Sequence, residues 1–106
     1  MKVRVVEAHE GEGQFPTFLM GAKVKMNPVA DEHFLHWHAC VIEGHQTYAP
    51  ASFVDDDTLR RDYNPTELVA KQGDVLEVRE IVNAWLYARN ATGVTGWIPA
   101  ESVVSY

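Results

Sequence analysis

A histidine-rich segment carries the side chains of this chain that are best suited to chemistry. If it forms a strand, period-two alternation places His36, His38 and Cys40 on one face, where they could hold a divalent metal. All five histidines of the chain fall within residues 1–45. No Cys-x-x-Cys or His-Glu-x-x-His motif accompanies them. The competing interpretation is a polar strand face with Trp37 packed inward, so metal binding is kept as an alternative.

A nucleophilic enzyme built on Cys40 and a histidine is a weaker hypothesis. No pattern in the sequence orients a base or supplies an oxyanion site, and the surrounding segment is typical of a regular strand. Ser52 and Ser102 are interpreted as residues of short 3₁₀ turns. We therefore predict a protein that is not an enzyme and uses no cofactor.

Composition and charge narrow the range of partners. The chain has 106 residues, of which 46% are hydrophobic and 23% are charged, and its net charge is −6. A nucleic-acid surface needs clustered basic residues, whereas the only adjacent basic pair is Arg60-Arg61. The sequence predicts no nucleic-acid partner, and the acidic balance is compatible with basic peptides.

Cysteine content and hydropathy indicate the compartment. Cys40 is the only cysteine, so no intrachain disulfide can form, which favours a reducing environment. The N-terminus lacks the apolar run of a signal peptide, and no stretch approaches the roughly 18 apolar residues of a membrane span. We expect a cytoplasmic protein without a membrane partner.

The elements that must position any site are short apolar runs separated by turn residues. Such runs predict an all-β fold. No long stretch keeps the spacing of an amphipathic helix. The candidate strands, bounded by Gly, Pro, Asn and Asp, are residues 2–7, 22–26, 34–42, 46–50, 75–81, 85–89 and 95–99.

An internal repeat organises these strands. Residues 44–54 align without gaps on residues 93–103, at a constant offset of 49 residues from Gly44 to Gly93. Each copy reads as a strand, a turn, a second strand, and a 3₁₀ turn that starts at Pro50 or Pro99. The repeat predicts two tandem small β-barrels.

The boundary between the two copies is expected in the acidic run Asp55-Asp56-Asp57. Such a charge run is typical of solvated linkers. The predicted domains are residues 1–54 and 61–106, joined by a linker at residues 55–60. Because each unit would be close to the size at which a core alone is marginal, the two are expected to share an interface.

The second copy resembles the Src-homology 3 (SH3) domain. Residues 61–68 (Arg-Asp-Tyr-Asn-Pro-Thr-Glu-Leu) look like its opening Ala-Leu-Tyr-Asp-Tyr segment with the following Glu-Leu. Residues 71–78 resemble its diverging turn, and residues 83–90 resemble its tryptophan-bearing strand. Residues 96–103 (Gly-Trp-Ile-Pro-Ala-Glu-Ser-Val) resemble its closing segment. The resemblance implies two SH3-like barrels, the first of them diverged, as in a bacterial tandem SH3-like protein.

The resemblance also implies a binding groove. In that family aromatic rings and one proline receive an extended polyproline-type peptide, and acidic residues of the long first loop hold a Lys or Arg of the peptide. By this resemblance Tyr63, Trp85 and Pro99 match groove positions, and Asp62 and Glu67 supply acidity.

In the first copy, Phe34, Pro50 and Phe53 occupy the positions of the binding Trp, Pro and Tyr. The second copy departs from the family at two groove positions, where Arg61 and Ser102 replace tyrosines. The loss of these rings removes apolar surface, so a Pro-x-x-Pro ligand is expected to bind weakly or to be replaced by another ligand.

The sequence thus predicts a noncatalytic protein-interaction or peptide-interaction module whose partner is proline-rich or basic. The alternatives are a metal-binding protein centred on His36, His38 and Cys40, and a structural adaptor whose grooves pack on each other. The sequence leaves the oligomeric state open.

Overall fold

The computed structural model describes residues 1–11, 13–26 and 37–106. Within these ranges the chain forms ten β-strands and two three-residue 3₁₀ helices, and it forms no α-helix. The all-β prediction is therefore confirmed. No helix in the described ranges is long and apolar enough to cross a membrane.

Each of the seven predicted strands has a counterpart, although the start of the predicted strand 34–42 lies outside the described residues. The strands are β1 (Lys2–Val5), β2 (Val24–Met26), β3 (Trp37–Ile42), β4 (His45–Pro50), β5 (Val54–Asp55), β6 (Thr58–Leu59), β7 (Val75–Val82), β8 (Trp85–Arg89), β9 (Thr95–Pro99) and β10 (Val103–Ser105). The 3₁₀ helices, Ala51–Phe53 and Ala100–Ser102, each follow the proline that was expected to start them.

The structure divides into two compact units. Unit 1 comprises residues 1–14 and 66–106. Its five-stranded antiparallel sheet has the order β10-β1-β7-β8-β9, so the first strand of the chain lies between β7 and β10. The order ends at β10 and β9, and the hydrogen-bonded sheet is open rather than a closed barrel.

The core of unit 1 follows from strand alternation. In β1, Val3 and Val5 are buried while Lys2 and Arg4 are exposed, because successive side chains point to opposite faces of the sheet. Removal of such apolar side chains from water is the main driving force for this packing. The core cluster consists of Val3, Val5, Leu68, Ala70, Leu76, Leu86, Ala88 and Ile98.

A two-residue turn connects β7 to β8. Asn83 and Ala84 both have positive φ, at 46° and 69°, which is the backbone shape that matches the right-handed twist of a tight hairpin. The Ala100 N–H donates to the Ala84 carbonyl at 2.8 Å, so the turn is tied to the second 3₁₀ helix. This turn fixes where Trp85 enters β8.

Unit 2 comprises residues 15–65. Its three-stranded antiparallel sheet has the order β2-β3-β4, and β3 pairs with β4 from Trp37 opposite Pro50 to Ile42 opposite His45. The end of the unit returns to its beginning, because the N–H groups of Phe18 and Tyr63 each donate to the other's carbonyl at 2.8 Å.

The acidic run 55–57 belongs to a small hairpin within unit 2. Strands β5 and β6 pair through Val54 with Leu59 and through Asp55 with Thr58. The Val24 N–H donates to the Asp57 carbonyl at 2.8 Å, which ties the hairpin turn to β2. Residues 55–60, expected as a linker, therefore carry a hydrogen-bonded hairpin.

The bounds of the units differ from the expected domains 1–54 and 61–106. Residues 1–14 join unit 1 because β1 pairs with β7 and β10, and residues 61–65 join unit 2 because Tyr63 pairs with Phe18. Unit 2 is thus inserted in the sequence between two segments that build one sheet.

Candidate functional site

Trp85 and Pro99 form the centre of the candidate site in unit 1. Trp85 is the first residue of β8 and lies directly opposite Pro99, the last residue of β9. Residues paired in this way present their side chains on the same face of a sheet, and we call this surface the Trp85 face. Trp85 is 7% exposed, whereas Pro99 is half-buried.

His9 joins two of the expected site residues of unit 1. Its Nε2 lies 2.8 Å from Oε1 of Glu67, and these side chains are 18% and 20% exposed. The His9 ring also meets Trp85 in a T-shaped contact, with 5.9 Å between the ring centroids. Glu67 and Trp85 are therefore brought to the same imidazole.

Backbone contacts hold His9 in this place. The N–H of His9 donates to the Ala70 carbonyl at 3.0 Å, and the N–H of Ala70 donates to the His9 carbonyl at 2.9 Å. Gly11 has φ +71°, and a Cβ at this position would approach the Glu67 Cβ to 2.8 Å. Glycine adopts a positive φ without strain and has no Cβ to collide with Glu67. Gly11 therefore lets the backbone lie close against residue 67.

Tyr63 and Asp62 lie in unit 2 rather than in unit 1. Tyr63 is 3% exposed, and its hydroxyl donates to the Tyr48 carbonyl at 2.6 Å. Oδ1 of Asp62, an exposed residue, accepts the Met20 N–H at 2.8 Å. Both groups thus make contacts inside their own unit, and residue types alone gave no sign of this.

The expected first-copy residues also have contacts within unit 2. Pro50 is buried, and Phe53 is 5% exposed. The Phe53 ring meets the Tyr63 ring edge-on at 5.3 Å, and the Arg61 guanidinium carbon lies 4.3 Å from the Phe53 centroid. Phe34 lies outside the described residues.

Ser102 and Trp97 take positions in the body of unit 1. Ser102 is buried, and its carbonyl accepts the N–H groups of Val6 and Glu7 at 2.9 and 3.2 Å. Trp97 is buried with its ring 5.1 Å from that of Tyr87. These contacts agree with the interpretation of Ser102 as a residue of the 3₁₀ turn and of Trp97 as a structural residue.

The described part of the chain gives the metal-binding alternative no support. Cys40 is 6% exposed, and burial raises the pKa of its thiol from 9.0 to about 11. A metal ligand must be the thiolate, which this environment disfavours. No group of three or more His, Cys, Asp or Glu residues suited to a metal occurs in the described ranges, and His36 lies outside them.

Sequence reasoning missed His9. It stands between Glu7 and Glu10, in a segment whose charge suggested solvated surface. Its role depends on the pairing with Ala70, across 60 intervening residues, and no local pattern signals that pairing.

The comparisons with known proteins give one match. The family model described as the SH3 domain matches residues 62–100. The matched segment includes β7, β8 and β9, and with them Glu67, Trp85 and Pro99. The match supports an SH3 domain in this part of the chain. No curated protein and no solved structure matches the sequence.

Proposed function

We propose that the chain is a noncatalytic interaction module that binds an extended, proline-rich peptide with a basic residue on the Trp85 face. The SH3 match over residues 62–100 supports a protein-interaction role. The observation that carries the peptide site is the direct opposition of Trp85 and Pro99 at adjacent strand ends. An aromatic ring beside a proline gives flat apolar surface of the kind that accepts a polyproline ridge.

Charge supports a basic ligand. Glu67 places a carboxylate near Trp85 through the shared contact with His9. The net charge of −6 favours the approach of a cationic peptide over long distances. A peptide that combines prolines with one basic residue would therefore match both the apolar and the acidic parts of this surface.

The wider organisation is part of the same proposal. We propose that both units are SH3-like, in line with the repeat of residues 44–54 in residues 93–103. The burial of Pro50, Phe53 and Tyr63 supports a packing role for these groove-equivalent residues in unit 2. A cytoplasmic location is proposed because the chain has a single cysteine.

The test is a titration of the full chain with a proline-rich peptide that carries one arginine. Binding is monitored through the NMR chemical shifts of the backbone amides. We expect saturable shifts around Trp85 and Pro99. Trp85→Ala should weaken binding by about thirtyfold, because a central aromatic anchor contributes about 2 kcal/mol or more. Ile81→Ala is the control, since Ile81 is exposed on β7 of the same unit.

Trp85 is buried, so folding must be monitored by NMR dispersion and by urea unfolding. Trp85→Phe, whose smaller ring should weaken binding to a lesser degree than Trp85→Ala does, is the second variant if Trp85→Ala unfolds. Peptide binding that is unchanged in a folded Trp85 variant would contradict the proposed site. The absence of saturable shifts in the wild-type chain would contradict the peptide-binding function itself.

A further inference from the structure

We propose that His9 is an internal substitute for an arginine of the peptide, and that ligand binding displaces its side chain from Glu67 and Trp85. This inference rests on the proposed function. It assigns a role to a residue outside the matched segment 62–100, and it specifies the basic residue of the ligand.

The chemistry of the three side chains leads to this assignment. His9 meets Trp85 in a T-shaped contact, with 76° between the ring planes, and places a nitrogen 2.8 Å from a carboxylate oxygen of Glu67. An arginine guanidinium can make both contacts at once, because it is planar like the imidazole and carries several N–H groups that pair with carboxylates. A lysine ammonium can pair with Glu67, but it is a compact charge with no planar group to take the place of the imidazole beside the indole.

Displacement requires only a small movement. The His9 and Glu67 side chains are 18% and 20% exposed, so solvent already reaches the pair. The hydrogen bonds between His9 and Ala70 are made by the backbone and can persist while the imidazole rotates away. We therefore expect exchange of one side chain for another without loss of the sheet.

The proposal predicts opposite effects for His9 and Trp85. Removal of the imidazole leaves Glu67 free for the ligand and uncovers part of Trp85, so binding should strengthen. The hydrogen bond to be broken contributes modestly, and we expect His9→Ala to bind the peptide between about twofold and tenfold more tightly than the wild type. His9→Gln keeps a donor for Glu67 but loses the ring contact with Trp85, so its affinity should lie between those of the wild type and His9→Ala.

The experiment uses the full chain and three peptides that differ only in whether the basic position is Arg, Lys or Ala. Binding is measured by calorimetry, and the His9 ring protons are followed by NMR. We expect the Arg peptide to bind most tightly and to shift the His9 ring signals toward those of an exposed imidazole. His45→Ala is the matched control, because His45 also contacts aromatic rings, those of Phe15 and Phe18.

The outcomes separate this inference from the proposed function. Saturable binding with equal or weaker affinity in a folded His9→Ala variant, or with unmoved His9 ring signals, would overturn the displacement while leaving the binding module intact. Equal affinity for the Arg and Lys peptides would overturn the assignment of arginine. Failure of the wild type and of His9→Ala to bind any of the peptides would overturn both proposals.

Discussion

The thiol of Cys40 shows how burial controls reactivity at a single residue. It lies on β3 with 6% of its surface exposed, and burial raises its pKa from 9.0 to about 11. Near neutral pH the residue therefore remains a neutral thiol, which is poorly nucleophilic. Its place in the sequence beside two histidines suggested metal chemistry, but its environment is that of a small apolar side chain.

We expect Cys40 to react slowly with a thiol reagent at pH 8 in the native chain and rapidly in urea. The folded pKa lies above the unfolded value, so the stability linked to the neutral thiol is complete below about pH 9 and falls as the pH rises toward about 11. The loss at pH 11 should be on the order of 2 kcal/mol.

Urea unfolding of the wild type and of Cys40→Ala at pH 8 and pH 11 checks this prediction. Other groups titrate in the same range, so the informative quantity is the difference between the two proteins. Rapid labelling of the native chain, or an identical pH dependence in both proteins, would contradict it.

At the same scale, the structure divides the five site residues predicted in the second copy between the two units. Trp85, Pro99 and Glu67 lie in unit 1, while Asp62 and Tyr63 lie in unit 2. The resemblance treats all five as one series because they fall within one continuous segment of the sequence. Hydrogen bonding separates them, since Tyr63 pairs with Phe18 inside unit 2.

At the scale of elements, β9 packs closely against the loop that precedes β7. Gly96 on β9 faces the backbone of Leu68, and a Cβ there would lie 2.7 Å from the Leu68 nitrogen and 2.8 Å from its Cα. The N–H of Leu68 donates to the Trp97 carbonyl at 2.8 Å, so the two segments are also hydrogen-bonded. A side chain at position 96 must push these segments apart.

We expect Gly96→Ala to lower the free energy of unfolding by about 2 kcal/mol or more, as overpacking against rigid backbone does. Gly73→Ala is the control in the same unit. Gly73 has φ +96° with no atom within 4 Å of an added Cβ, so it should show only the backbone strain of about 1 kcal/mol. Equal losses in urea unfolding would contradict the steric explanation.

The β5 and β6 hairpin shows why charge is a poor guide to element boundaries. Its acidic turn contains Asp56 and Asp57, both with positive φ, and Asp residues tolerate that conformation in tight turns. The same composition is typical of linkers. The pairing of β5 with β6 and the backbone hydrogen bond from the Val24 N–H to the Asp57 carbonyl distinguish the hairpin from a linker.

At the scale of the whole molecule, unit 1 is built from two separated segments of the chain. Residues 1–14 supply β1, which lies between β7 and β10, and they supply Val3 and Val5 to the core. The predicted domain 61–106 lacks this strand. Without β1, the sheet of this fragment would lose the strand that links β10 to β7.

We expect a fragment of residues 61–106 to fail to fold on its own. Loss of an internal strand removes both its ladder hydrogen bonds and the burial of Val3 and Val5, which are worth roughly 1.5 to 3 kcal/mol each. Circular dichroism and urea unfolding should show no cooperative transition, whereas the full chain should show one. A peptide of residues 1–14 added in excess should restore structure if β1 is the missing part.

The same peptide with Val3 and Val5 changed to Asp is the control and should not restore structure. A fragment of residues 61–106 that unfolds cooperatively by itself would instead support the expected domain bounds. The experiment therefore decides between the two ways of dividing the chain.

The sequence by itself determined the all-β class, the positions of most strands, and the prolines that precede both 3₁₀ helices. These features depend on local alternation and on the fixed φ of proline, which neighbouring residues specify. The opposition of Trp85 and Pro99, which the structure adds, has a similarly local origin, because β8 and β9 are adjacent in sequence and form a hairpin.

Tertiary structure decided which distant segments complete each unit. The alternation of β1 specifies which of its side chains are buried but not which strands it pairs with, and β7 and β10 are about 70 and 100 residues away. The pairing of His9 with Ala70 and its contact with Glu67 have the same non-local origin. The proposed role of His9 in ligand binding therefore depends on strand pairing that no local pattern encodes.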